Sequence, residues 1–463
     1  MKCSTIYKGV CLIFMMFMLL GCSTASISES GLDSDALDVP EAGEPLVIPD
    51  APAISCPEID IDPIVGFEVT QVQTEEEPAA RTPYLDAVFN TCIIRVTDRH
   101  TDIDPDDPSP GLKNEYSRVQ SFNADGSLLL ARGIEGTWYL YNAASLQPLG
   151  QLPLEVEPRW SSSDPMLIYY IDETRLMFYN ISTGQQTAVH EFRDDLPGYD
   201  PVMVWTRYES GPTMDTRYWG LMAQDQDWLP SAFLVYDLET DQVTALRDLR
   251  SWSEEAREID TVAISPLGTY FLAYLDLYCE EGELGDDQHP CGLMVYDRNL
   301  ENGRSLLRIV GHSDTALDEN GREVFVYQDI DTDTISMLDL ESGQITPLHP
   351  IDFSHTAIGL HFSGRAYEKP GWVLVSTHDG DTASHTWMDD QVFALELKPD
   401  GQVIHLAHTH SIVDESQEHD YWAEPHASVN QDFTRVLFTS NWGRSGSETV
   451  EMYMVYTPAG WLP

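Results

Sequence analysis

The chain has 463 residues and a formal net charge of −52. With 77 acidic side chains against 25 Lys and Arg, it lacks the basic stripes that phosphate binding needs, which excludes nucleic acid as a partner. Acidic excess on this scale suits a protein bathed in salt, where self-repulsion is screened, and it disfavours polyanionic ligands unless a local cation inverts the field.

The first element is "MKCSTIYKGVCLIFMMFMLLGCSTAS". Lys2 and Lys8 precede an apolar run, Val10 to Leu20, that is too short to stay across a bilayer. This pattern is a secretory signal over residues 1–21. "LLGC" resembles the bacterial lipobox, which implies that Cys22 is lipidated and becomes the first mature residue. More than one acyl chain gives stable anchoring. The expected location is therefore the bacterial cell envelope, with the membrane as a partner through the lipid on Cys22. Ser23, rather than Asp, resembles lipoproteins sent on to the outer membrane.

Residues 22–80, including "SISESGLDSDALDVPEAGEPLVIPDAP", are rich in Asp, Glu, Pro, Ser and Ala, and read as a flexible acidic tether. Four cysteines lie beyond Cys22, in an oxidising compartment. Cys279 and Cys291 flank the acidic loop "EEGELGDDQHP" and are expected to bridge it. Cys56 then pairs with Cys92 by elimination. The spacings match no zinc pattern.

Residues 81–463 carry a repeat. "VQSFNADGSLLLARGIEGTWYLYNAASLQPLGQL", "PRWSSSDPMLIYYIDETRLMFYNISTGQQTAVHEF" and "TALDENGREVFVYQDIDTDTISMLDLESGQITPLHP" share strand, turn, strand, gap and strand. Turns such as "NADG" and "DENG" suit tight hairpins, and "LIYY" and "VFVY" have sheet composition. Seven units begin near Ser117, Glu155, Val202, Glu258, Gly311, Ser354 and Asp420. Repeats of about 40 residues with about four strands each define a β-propeller, so the expected fold is all-β and seven-bladed. The last unit lacks a fourth strand, and "NTCIIRVTD", Asn90 to Asp98, is expected to supply it and close the ring.

The innermost strand of each blade lines the channel of a propeller. Residues at those positions are Arg118 and Gln120, Glu157 and Arg159, Trp205 and Arg207, Asp260 and Thr261, His312 and Asp314, His355, and Glu424 and His426. Arginines come from the early blades. Eleven of the 14 histidines lie between His312 and His426. His, Asp and Glu on adjacent inner strands suit one divalent metal, with His312, Glu424 and His426 as the main ligands and Asp314 and His355 as further ones. The alternative is a hydrogen-bonded, water-filled channel. "HLAHTH", with His405, His408 and His410, reads as a solvated strand edge. No Gly-x-Ser-x-Gly elbow and no phosphate-cradling glycine loop is present.

"GHSDTALDENGREVFVY" and "EPHASVNQDFTRVLFTS" resemble two segments of the oligogalacturonate lyases, seven-bladed propellers with manganese at the channel mouth. The resemblance implies a manganese-like ion held by His312 and His426. Glu424 stands where that family has a His, and Tyr421 where it has a Gln. The family's base is a His on the inner strand of the middle blade, which here reads "EIDTVAISPLG" and has none, leaving Asp260 as the acceptor there. Arg159 and Arg207 are expected to grip a substrate carboxylate. The repeats also resemble TolB-type binding propellers. Two readings follow: a scaffold binding a protein or carbohydrate ligand, or a metal-dependent polysaccharide lyase.

Overall fold

The computed structural model describes residues 46–463, apart from residues 47, 50, 58–61, 74, 354–357, 380–385, 415, 448, 459 and 463. The signal, Cys22 and His355 lie outside the described residues. Seven antiparallel sheets follow one another along the chain and form a seven-bladed β-propeller. The inner strands of the blades are Leu112–Lys113, Val156–Trp160, Met203–Trp205, Ile259–Ile264, Ser313–Leu317, Ile358–Ser363 and Ser428–Val429.

The reason these segments become strands is visible in their burial. "LLLARG" over Leu128–Gly133 and "PSAFLVYD" over Pro230–Asp237 are buried almost throughout, as strands packed between neighbouring blades must be. Buried aromatic rings fill the space between blades. Phe233 lies 4.9 Å from Phe271 and 6.1 Å from Tyr296.

Closure follows the sequence reading. The seventh sheet runs Ser428–Val429, Arg435–Ser440, Glu451–Tyr456, Cys92–Arg95 and Tyr84–Leu85. Ile93 pairs with Val455 and Ile94 with Met454, so the chain's early strand completes its last blade.

Both expected disulfides form, Cys56–Cys92 and Cys279–Cys291. Cys56–Cys92 spans 36 residues and ties the segment before the ring to the closing strand. Its loss is expected to cost about 2–5 kcal/mol. Thermal melts of Cys56→Ser against wild type would show this as a lower Tm, and an unchanged Tm would count against a stabilising role.

The described part of the expected tether is not free chain. The described residues between 46 and 80 strap onto the blades. The Leu46 N–H donates to Ile181 O and the Ile54 N–H to Ala144 O. Val65 bridges to Ile404, and Thr70 meets His408 Nε2 at 3.0 Å and Gln391 Nε2 at 2.9 Å. The acidic, Pro-rich composition concealed "PIVGFEVTQV", residues 63–72, whose alternating apolar residues suit an added edge strand. Accordingly His405 and His408 are buried, not a solvated edge. His405 donates to the Gly66 carbonyl at 2.9 Å and holds the strap.

The strap ends in a cation cage. Glu77 lies 3.2 Å from Arg95, 3.2 Å from Arg99 and 2.9 Å from Arg444. Burial opposes its charge, but the Arg99 hydrogen bond and the charges of Arg444, Arg99 and Arg95 prevail and lower its pKa to about 2. A folded-state pKa depressed below the usual 4.5 contributes stability above that pH, which is lost as pH falls toward 2. Glu77→Gln should flatten the fall in Tm between about pH 4.5 and 2; an acid melting profile unchanged by the substitution would contradict the cage.

Candidate metal centre

The stretch that holds the site is fixed by its backbone. A 3₁₀ turn, Glu418–Ala423, delivers Glu424-Pro425-His426 to the mouth of the channel. Pro425 locks its own φ, and its carbonyl accepts from the Thr439 N–H. Asn114 Nδ2 donates to the His426 carbonyl at 2.6 Å, pinning this turn to the first blade. His426 has φ +43°, a conformation that non-glycine residues adopt only when the surroundings over-determine it.

Three side chains converge there. His361 Nε2 and His426 Nε2 each lie 3.4 Å from the same oxygen, Glu424 Oε2. One donor atom from each of the three lies within 4.8 Å of the others. Ligands about 2.1 Å from one ion at tetrahedral angles sit about 3.4 Å apart, so the spacing matches a shared ion. Two more imidazoles complete the surround. His312 lies 4.4 Å, ring to ring, from His361, and His378 Nε2 is 3.7 Å from Glu424. His378 reaches the channel from the second strand of its blade because its pairing partner is Gly359. A Cβ on Gly359 would sit 2.2 Å from His378 Nε2.

The chemistry of the donors fits a divalent ion. His361 is 1% exposed, yet neither ring nitrogen has a hydrogen-bond partner among the described residues. An orphaned buried polar group costs about 1–3 kcal/mol, and an ion shared with Glu424 and His426 would remove that cost. Burial, then the neighbouring His426, His312 and His378, push the His361 pKa well below its usual value. Burial and Lys113 lower that of His426 to about 4. Both rings are therefore neutral at pH 7 and free to ligate. Burial works against ionised Glu424, but His378 and His426 hold its pKa at about 2, so the carboxylate is charged.

The channel also holds cations and acids. Lys113 is buried, with Nζ 3.5 Å from His426 Nδ1, and burial followed by Arg132 lowers its pKa to about 7. Arg118 crosses the channel. It donates from Nε to Ser313 O at 2.6 Å and pairs through Nη1 with Glu209 at 3.0 Å. Asp260 and Asp276 are exposed, and their charges act on Glu209.

Several expected site residues lie elsewhere. Arg159 is 5% exposed and wholly engaged. It pairs with Glu115 at 2.7 Å and donates to the carbonyls of Ser210, Pro158 and Tyr208. It shapes the wall and cannot reach a ligand without breaking these bonds. Arg207 donates to Ile259 O but stays partly open to the channel. Asp314 turns away from the imidazoles to an ion pair with Arg365 and the Gly364 N–H, locking two blades. His312 stands against His361 at the edge of the trio rather than inside it. His361 and His378 were not among the expected ligands. His361 sits between Leu360 and Phe362 in "IGLHFS" and looks like a core residue; the signal that finds it is its place on an inner strand.

No family model and no curated protein matches the chain. Solved structures do. An oligogalacturonate lyase in complex with manganese superposes with a TM-score of 0.56 at 15% identity, covering 86% of this chain and 98% of that one. An oligogalacturonate lyase from Vibrio parahaemolyticus gives 0.52 at 15% identity, covering 87% of this chain and 100% of that one. The chain is thus a seven-bladed propeller with the fold of these lyases.

Proposed function

We propose that the protein is a divalent-metal-dependent lyase acting on a carboxylate-bearing carbohydrate of the uronate class. The observation carrying this reading is the His361, Glu424 and His426 trio, whose donor spacing and orphaned buried imidazole call for a cation. His361, Glu424 and His426 would hold the ion, with His312 and His378 beside them. A bound divalent ion would supply Lewis acidity, neutralising the substrate carboxylate and so acidifying the adjacent C–H. It would also make an anionic ligand acceptable to a chain of this charge. Arg118 and Arg207 add fixed positive charge in the channel, and Lys113 crowds the trio from the first blade. These groups orient a carboxylate by charge and hydrogen bonding.

The second reading, a binding propeller without catalysis, is favoured by one observation: Ile259–Ile264 carries no His at the place of the family's base. In either case the proposal includes lipid at Cys22 and attachment to the outer membrane, which mass spectrometry of the mature N-terminus would test. The two readings separate in one assay. Protein loaded with manganese or zinc and mixed with oligogalacturonate should raise the ultraviolet absorbance of unsaturated uronate. Binding of the oligomer with no absorbance change would favour the scaffold.

A further inference from the structure

Elimination from a uronate needs a base, and the inner strand of the middle blade, Ile259–Ile264, carries no histidine. We propose that Glu209 is that base, a carboxylate from the third blade that takes the proton from the uronate carbon; this rests on the lyase reading.

Position comes first. Glu209 follows the inner strand Met203–Trp205, on a loop whose backbone is bent by Arg207 at φ +69° and Tyr208 at φ +73°. Buried Glu157 holds this bend, accepting from the N–H groups of Thr206 and Tyr208. The strained loop turns Glu209 inward. Its Oε2 pairs with Arg118, while a quarter of the side chain stays accessible on the channel. Arg118 lies 5.6 Å from the Tyr116 ring, and that ring lies 4.9 Å from His426 and 5.6 Å from His361. Glu209 is therefore linked to the trio through Arg118 and Tyr116, and a sugar whose carboxylate met the trio would lay its ring along these two side chains toward the accessible part of Glu209.

Proton affinity agrees with the placement. Enclosure by the channel wall and then the negative charge of Asp260 raise the Glu209 pKa to about 7, against the opposing charges of Arg118 and Arg207; Asp276 adds to the rise. A carboxylate with affinity near the working pH combines an ionised population with real basicity. Asp260, on the strand where the family's base lies, acts here by keeping Glu209 basic.

The step balances without an oxidant or reductant. The Glu209 carboxylate takes the C5 proton, and the C–H electron pair becomes the C4=C5 double bond. The C4–O bond breaks, its pair leaves on the glycosidic oxygen, and that oxygen takes a proton from water. The hydroxide so formed recovers the proton from Glu209.

The test uses the full mature protein loaded with manganese, oligogalacturonate as substrate, and bound metal measured alongside. Glu209→Gln should lower kcat by about 10²–10⁴-fold with metal stoichiometry intact. Glu209→Asp should recover part of that loss. Asp260→Asn should move the acid limb of kcat/KM to lower pH, because it removes the charge that raises the Glu209 pKa; this variant decides the matter if Glu209→Gln misfolds. Unchanged kcat in Glu209→Gln, or an unmoved acid limb in Asp260→Asn, overturns the assignment while leaving the lyase reading in place. Wild-type protein that binds metal but forms no unsaturated product overturns the lyase reading, and Glu209's role with it.

Discussion

Alanine at His361 or His426 is expected to abolish tight divalent-metal binding while leaving the metal-free fold intact. Outer-shell partners of metal ligands are worth about 10–100-fold in affinity, and a direct ligand should exceed that. The sign of the stability change makes the test specific. His361 is 1% exposed and neither of its nitrogens is hydrogen-bonded among the described residues, a liability of about 1–3 kcal/mol in metal-free protein. Replacing it with Leu should therefore leave metal-free Tm unchanged or raise it, and remove the rise in Tm that added metal gives wild type. A purely structural histidine would behave in the opposite way, with Tm falling and no dependence on metal. Titration calorimetry and thermal melts, with and without manganese, separate the two.

Deleting residues 85–100 should unfold the entire ring, not only loosen one blade. The closing strand Cys92–Arg95 pairs along its length with Glu451–Tyr456. Ile93, Ile94 and Val96 are fully buried. At about 1.5–3 kcal/mol for each such side chain, their burial amounts to roughly 5–9 kcal/mol, comparable with the whole stability of a typical domain. The deletion also removes Cys92, Arg95 and Arg99, and with them the disulfide and two of the three arginines around Glu77. Loss of cooperative melting and of native far-ultraviolet dichroism is the expected result. A truncated protein with the wild-type Tm would contradict closure by this strand.

The fold was legible because its signal is periodic. Each blade repeats the same turn chemistry and apolar strands, so a shift of one or two residues leaves the count of seven intact. The closing strand was legible by subtraction, as the last unit lacked what "NTCIIRVTD" offered. The site was legible only in part. Glu424 and His426 stand out because they precede a strand as polar residues. His361 and His378 do not, since whether a strand residue faces the channel depends on register and on what lies opposite; Gly359 exposes His378, and no local pattern announces that. Arg159 and Asp314 misled for the complementary reason. They lie at inner positions, but buried partners, Glu115 and Arg365, claim their charges. The strap was hidden because acidic, Pro-rich composition describes solubility well and edge pairing poorly.

The propeller's mouth is proposed to hold a divalent cation at His361, Glu424 and His426. The most direct measurement is a crystal structure of protein purified without chelator and supplied with manganese, with data collected to reveal anomalous scattering. One peak is expected, at metal-ligand distance from His361, Glu424 and His426. An empty trio, with its side chains hydrogen-bonded to water or turned apart, would contradict it.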